Sequence, residues 1–133
     1  MFTLTLVTPQ KKLLTDVEIE EVILPAFRGQ LDILPGHAPL MTTLTAGTLK
    51  VRLKGESQFK SAAISWGYCE VNQQGVSVLA DTAEWPEEID KKRAEDQLKI
   101  AEQRLQDAGL TPDENVQAQM KTRKERARLD TLQ

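Results

Sequence analysis

A chain of 133 residues with 40% hydrophobic content can bury one core, or a small core with an appendage. Its formal net charge of −3 gives no global reason to bind nucleic acid, and 5% aromatic content leaves little surface for stacking bases. One cysteine, Cys69, permits no intramolecular disulfide, and one histidine with one cysteine cannot furnish a zinc site. No apolar run approaches the ~18 residues that span a bilayer. Nor does the opening Met1-Phe2-Thr3-Leu4-Thr5-Leu6-Val7 have the basic and long apolar regions of a signal peptide. Membrane association is therefore expected through a partner.

From Phe2 to about Ala83 the pattern is that of strands. Phe2, Leu4, Leu6 and then Val17 and Ile19 alternate with polar residues, the period of two that turns one face inward. Comparable runs follow at Val22 to Leu24, Thr48 to Leu53, Phe59 to Ser65, Tyr68 to Val71 and Val76 to Ala80, with a further short strand opening at Gly29. Turn signals separate them at Pro9, Arg28-Gly29, Lys54-Gly55 and Asn72-Gln73-Gln74-Gly75. Many short strands at such spacing predict an all-β sandwich or flattened barrel over residues 1–84. In that frame Cys69 reads as a packed strand thiol.

After Glu84 the period changes. Ala94, Leu98, Ala101, Leu105 and Ala108 recur at spacings of four and three, an amphipathic helix expected over about 87–107 with Pro86 in its first turn and Gly109 past its end. Thr111-Pro112-Asp113-Glu114 has the form of a capping box and predicts a second helix over about 112–131. Residues 85–133 thus read as an antiparallel hairpin, each arm about 30 Å long. The fold class is α+β, a sandwich followed by a two-helix hairpin.

The second helix has few apolar residues, and only Val116, Met120 and Ala127 form a stripe expected to pack. At ~1.5–3 kcal/mol per large side chain buried, its docking can draw on only a few kcal/mol before ordering is subtracted. Such a helix could leave its seat without unfolding the sandwich. It also carries Lys121, Arg123, Lys124, Arg126 and Arg128 against Glu125 alone, a local positive excess suited to an acidic partner surface or to plain solvation.

The segment Gly29-Gln30-Leu31-Asp32-Ile33-Leu34-Pro35-Gly36-His37-Ala38-Pro39-Leu40 is a strand running into a loop. Pro35 and Pro39 fix φ, and Gly36 between them is free to take positive φ. A stiff, exposed, apolar loop reads as a contact surface. No nucleophile elbow, phosphate loop or dinucleotide fingerprint occurs anywhere in the chain, so an enzyme lacks its parts.

That segment resembles the signature loop of the epsilon subunit of F-type ATP synthases. The likeness runs on through Val7-Thr8-Pro9, through Ser65-Trp66-Gly67-Tyr68-Cys69-Glu70-Val71, and through Val76-Ser77-Val78-Leu79-Ala80-Asp81-Thr82-Ala83-Glu84 with Ile89-Asp90-Lys91-Lys92-Arg93-Ala94. Each motif alone is of modest specificity; their order and spacing together are strong.

The resemblance implies a non-catalytic rotor subunit of the central stalk. Its sandwich, the foot, would bind the gamma subunit and rest on the ring of c subunits through the loop matching Gln30, Asp32, Pro35, Gly36 and His37. The family often has Glu in place of Gln30 and Gly in place of Asp32, so a charge contact with the ring is expected to be rearranged, while Trp66 in place of the family's Gly adds bulk at a turn expected near the gamma interface. The resemblance further implies a hairpin that folds down on the foot or extends into the alpha/beta catalytic head. There Lys121, Arg123, Lys124, Arg126 and Arg128 would restrain ATP hydrolysis.

No cofactor is required, but some family members bind ATP as a regulatory ligand between foot and hairpin. Glu84, Ile89, Asp90, Arg93 and Ala94 match that site, while Ile100 stands where those members carry an arginine. Asp90 and Arg93, one turn apart, read equally as a surface helix pair. The implied location is peripheral, on the cytoplasmic face of a bacterial inner membrane or the stromal face of a thylakoid. The residues by themselves also allow a free-standing interaction adaptor of the same architecture.

Overall fold

The computed structural model describes all residues 1–133. Seven strands come first, β1 (Thr3–Val7), β2 (Lys12–Ala26), β3 (Gly29–Ile33), β4 (Leu40–Leu44), β5 (Gly47–Leu53), β6 (Lys60–Asn72) and β7 (Gly75–Glu84). A 3₁₀ turn at Pro86–Glu88 leads to two helices, α1 (Lys91–Leu105) and α2 (Pro112–Thr131). The expected α+β class is what the chain adopts, a β-sandwich followed by two helices. β1 pairs parallel to β7 and antiparallel to β2, and β5 bridges β2 and β6, so the flattened barrel closes around one core. Leu4, Leu6, Val22, Leu24, Ile33, Leu49 and Val51 are fully buried there.

Two pairs of short runs in the sequence are in fact single long strands. In β2 the inward residues pass from Ile19 to Val22 and Leu24, an interval of three that breaks the alternation, and the pairing with β5 shifts between Ile19 and Glu21. The extra residue is a bulge, which lets one strand serve both faces of the closed sheet. In β6 the core residues change from Ala62 and Ile64 to Cys69 and Val71. Between them Trp66 and Gly67 take φ of +36° and +153°, and there β6 leaves β5 and takes up β4. A Cβ on Gly67 would lie 1.9 Å from the Leu79 carbonyl oxygen, so this corner requires glycine. β4, absent from the predicted runs, follows the proline loop and pairs along β6 from Leu40↔Val71 to Leu44↔Gly67.

The first helix starts later and ends earlier than its periodicity predicts, over 91–105 where 87–107 was expected. Ile89 is extended, and the Asp90 side chain accepts a hydrogen bond from the Arg93 N–H at 3.1 Å, which makes Asp90 the N-cap. Residues 86–88 form their own turn, held by the Glu88 carboxylate accepting from the Trp85 N–H. Trp85 itself packs against the sandwich core. Leu105 is the last helical residue, so Gly109 sits in the connecting turn, where its N–H donates to the Asp107 carboxylate at 2.8 Å. α2 carries the capping box at Thr111 and Glu114.

Candidate functional site

α2 is the inner helix of the hairpin, packed against α1 on one side and against β5 and β6 on the other. The face that does this is not the apolar stripe. Val116 and Met120 are 52% and 41% exposed, whereas Ala118, Thr122, Glu125, Ala127 and Thr131 are buried. The expectation of packing through Val116 and Met120 fails because small residues permit closer approach to the alanines of α1, Ala94 and Ala101, also buried. The buried hydroxyls are satisfied locally: Thr122 donates to the Ala118 carbonyl at 2.8 Å and Thr131 to the Ala127 carbonyl at 2.7 Å. With that hydrogen committed, Thr131 accepts from the Thr48 hydroxyl of β5 at 2.8 Å, a direct tie to the foot.

The second tie is ionic. Arg128 reaches from α2 to Glu84 at the end of β7, with Nε 2.6 Å from Oε1, and its Nη1 donates to both carboxylate oxygens of Glu125. Glu125, 1% exposed, also faces the Lys121 ammonium at 3.5 Å. Burial disfavours the Arg128 charge, but Glu84 and Glu125 together more than compensate and hold its pKa above the ordinary value. Lys124 has no such partner, and burial first, then the charges of Arg128 and Lys121, push its pKa down.

These groups line a cavity of about 220 Å³ where foot, linker and hairpin meet. Of the residues matched to nucleotide binding, Glu84, Asp90, Arg93 and Ala94 line it; Ile89, half-buried, does not. Of the basic run, Lys121, Lys124 and Arg128 line the same cavity. Arg126 instead pairs with Glu102 of α1 at 3.1 Å, and Arg123 is exposed. The structure thus brings together two sets of residues that lie far apart in sequence, and it divides the basic run by helical phase. Glu88 also lines the cavity, with its pKa held low by the Lys11 ammonium and then by the Trp85 N–H. Four cations and three carboxylates border the space, and the buried Glu125 lies behind them.

The proline loop lies at a separate place. Gln30 and Asp32 are exposed on β3, Pro35 and Gly36 are exposed in the loop, and Gly36 takes φ of +92°. His37 is half-buried, its N–H donating to the Leu34 carbonyl at 3.1 Å and its ring Nδ1–H to the Ala38 carbonyl at 2.7 Å. Leu34 is 47% exposed at the tip. Asp32 neighbours Glu21, and hydrogen bonding to that carboxyl, then burial and the Glu21 charge, hold the Asp32 pKa above its ordinary value.

Residues 1–86 match the family model described as the ATP synthase delta/epsilon chain beta-sandwich domain, and residues 87–133 match that of its long alpha-helix domain. The chain belongs to the ATP synthase delta/epsilon family. It is 42% identical over 130 residues to the ATP synthase epsilon chain of Bdellovibrio bacteriovorus, covering 98% of this chain and 93% of that one. Identity to the ATP synthase epsilon chain of Rippkaea orientalis is 39% over 125 residues, covering 92% and 90%. A chain in the Euglena gracilis mitochondrial ATP synthase OSCP/F1/c-ring structure superposes with a TM-score of 0.87, at 22% identity over 99% of this chain and 81% of that one. For a chain of the Tetrahymena thermophila mitochondrial ATP synthase central stalk and c-ring the TM-score is 0.67 at 16% identity, covering 99% and 96%. Those two likenesses bear on the fold alone.

Within this family member, sequence reasoning missed Glu125 and Glu88 as parts of the site. For Glu125 a signal existed, since Lys121, Glu125 and Arg128 stand at i, i+4 and i+7, the spacing of a charge ladder along one helix face. For Glu88 none did, because its partner Lys11 is distant in sequence and meets it only in the fold.

Proposed function

We propose that this chain is a non-catalytic subunit of the central stalk of an F-type ATP synthase, joining the gamma subunit to the c ring and restraining ATP hydrolysis through α2. The observation that carries the reading is the agreement of both family domains, in order, over the whole length. In this reading the exposed loop from Gln30 to His37 meets the c ring, and the foot holds gamma. The basic residues of α2 engage the alpha/beta head when the hairpin extends. No helix of the chain is long and apolar enough to cross a membrane, so the membrane is reached through the c ring.

The mobility of α2 is supported by its seat, which is built of alanines, hydroxyls and ion pairs and adds no large apolar side chain of α2 to the core. A two-state element needs a gap of a few kcal/mol between its states, which such a seat suits. The test is ATP hydrolysis by a reconstituted alpha, beta and gamma complex, with and without this chain, together with co-elution on a sizing column. Co-elution with slower hydrolysis is expected. Removing residues from Asp113 onward should then raise hydrolysis while co-elution persists, and unchanged hydrolysis after that truncation would remove the regulatory role.

ATP as a regulatory ligand is a second reading, favoured by the meeting of Glu84, Asp90, Arg93 and Ala94 with three cations of α2 around one cavity. Calorimetric titration with MgATP checks it, and no heat at millimolar nucleotide would dismiss it.

A further inference from the structure

We infer that the open edge of β4 takes an extended segment of the gamma subunit as an added strand, bonded through the backbone of Met41 and Thr43. The inference rests on the reading that the foot holds gamma, and adds which edge of the foot does so and by what kind of bond.

The register decides which backbone groups are free. The Phe27 N–H donates to the Thr43 carbonyl at 3.1 Å, and the Thr45 N–H donates to the Pro25 carbonyl at 2.9 Å. Successive residues of a strand turn their backbone groups to opposite sides, so the odd-numbered residues of β4 face the β2 side and the even-numbered ones bond β6. Yet β2 meets β4 only at Ala26↔Leu44 before it turns away into β3. The N–H and C=O of Met41 and the N–H of Thr43 are therefore left without a partner strand. Met41 is 66% exposed.

An open edge is a template for another strand, and proteins usually blunt such edges with charge or proline. The edge of β3 is blunted in that way, because Asp32 stands beside Glu21 with like charge. β4 carries no charged residue from Leu40 to Leu44. Between its edge and the β2–β3 turn runs a groove of about 390 Å³, walled by Phe27, Leu31, Leu40 and Thr42. A strand bonded to Met41 and Thr43 turns the residue opposite Thr42 onto the face of Leu40 and Thr42, into this groove. Arg28 lines the same groove, exposed and with no carboxylate in ion-pair range. The occupant is thus an extended segment with an apolar residue for the groove and an acidic one near the turn. Backbone bonds give such a contact its affinity, and the groove gives it selectivity. A helix cannot serve, since its own N–H and C=O groups bond one another.

The test separates backbone from side chain at one position. Met41→Pro removes an N–H that bonds nothing within the chain, a substitution an edge strand tolerates. Met41→Thr keeps the backbone and suits a strand, but shortens the side chain. Each full-length chain is titrated into a reconstituted alpha, beta and gamma complex. Met41→Pro should bind roughly tenfold more weakly with its thermal transition retained, the scale of a lost hydrogen bond, and Met41→Thr less than about threefold more weakly. Single-residue hydrogen exchange in the bound parent should slow at the Met41 and Thr43 amides by roughly tenfold or more, and far less at Thr42, whose amide already bonds β6.

Equal weakening by the two variants, or parent-like binding by a folded Met41→Pro, would overturn the added strand. So would unslowed exchange at Met41 and Thr43 in the bound parent, which decides the question if Met41→Pro does not fold. Co-elution with gamma without that protection removes this inference alone, whereas failure to co-elute removes it together with the reading on which it rests. The same protection in a dimer of the free chain would give the edge to a second copy and overturn gamma as its occupant.

Discussion

Replacing Arg128 by alanine should release the hairpin while leaving the sandwich intact. The substitution leaves Glu125, 1% exposed, with only the Lys121 ammonium at 3.5 Å, and leaves Glu84 facing the hairpin without its ion pair. Breaking a fully buried pair costs about 3–5 kcal/mol. Here the Arg128 and Glu84 side chains retain 21% and 23% exposure and Lys121 remains, so about 2–3 kcal/mol is the reasoned loss in docking. That is roughly a 30- to 150-fold shift toward the undocked state at 1.36 kcal/mol per factor of ten. Native-state hydrogen exchange reads it directly. Amides of α2 should exchange faster by that factor, while those of β6 and β7, whose apolar residues belong to the separate sandwich core, should not change. The triple variant E84M/E125L/R128M, which replaces the charges with apolar groups of similar length, should restore protection, since a well-packed apolar substitute for a buried ion pair is often neutral or better. Equal acceleration in sandwich and hairpin, or none in either, would refute the view that Arg128 acts locally on docking.

Gly67→Ala should abolish folding of the sandwich, because the new Cβ would meet the Leu79 carbonyl oxygen at 1.9 Å in the central β6–β7 pair; loss of the cooperative thermal transition checks it. Asp32→Asn should raise the melting temperature at pH 7. The Asp32 pKa lies above its ordinary 3.8, so its favourable contribution is full below 3.8 and is lost as pH rises through the raised value. The gain of the asparagine variant should therefore shrink as pH falls toward 3.8, and a gain independent of pH would contradict this. Thr111→Ala removes the hydroxyl that accepts from the Glu114 N–H at 3.2 Å and should destabilise the first turn of α2 by about 1 kcal/mol. Exchange of the Glu114 and Asn115 amides reports that loss.

The period of two up to Ala83 and the period near 3.6 after Asp90 are local properties of the chain, since each residue's side is set by its neighbours' backbone. They determined the sandwich, the hairpin and the capping box that begins α2, and the order of the motifs determined the family. What decided the rest is spatial. The bulge between Ile19 and Glu21 and the corner at Trp66 and Gly67 turn two pairs of apparent strands into two long ones, because closing a barrel demands a change of inward face that no short window contains. Val116 and Met120 form a stripe on a helical wheel, yet the close fit of Ala118 and Ala127 between α1 and the sheet leaves them in solvent. The charged cavity is the clearest case. Glu84, Arg93 and Arg128 are each ordinary in their own segment, and only the return of α2 across β5 and β6 brings them within reach of one another. Electrostatic partnership depends on distance in space, and for this chain that distance is fixed by how the hairpin is seated.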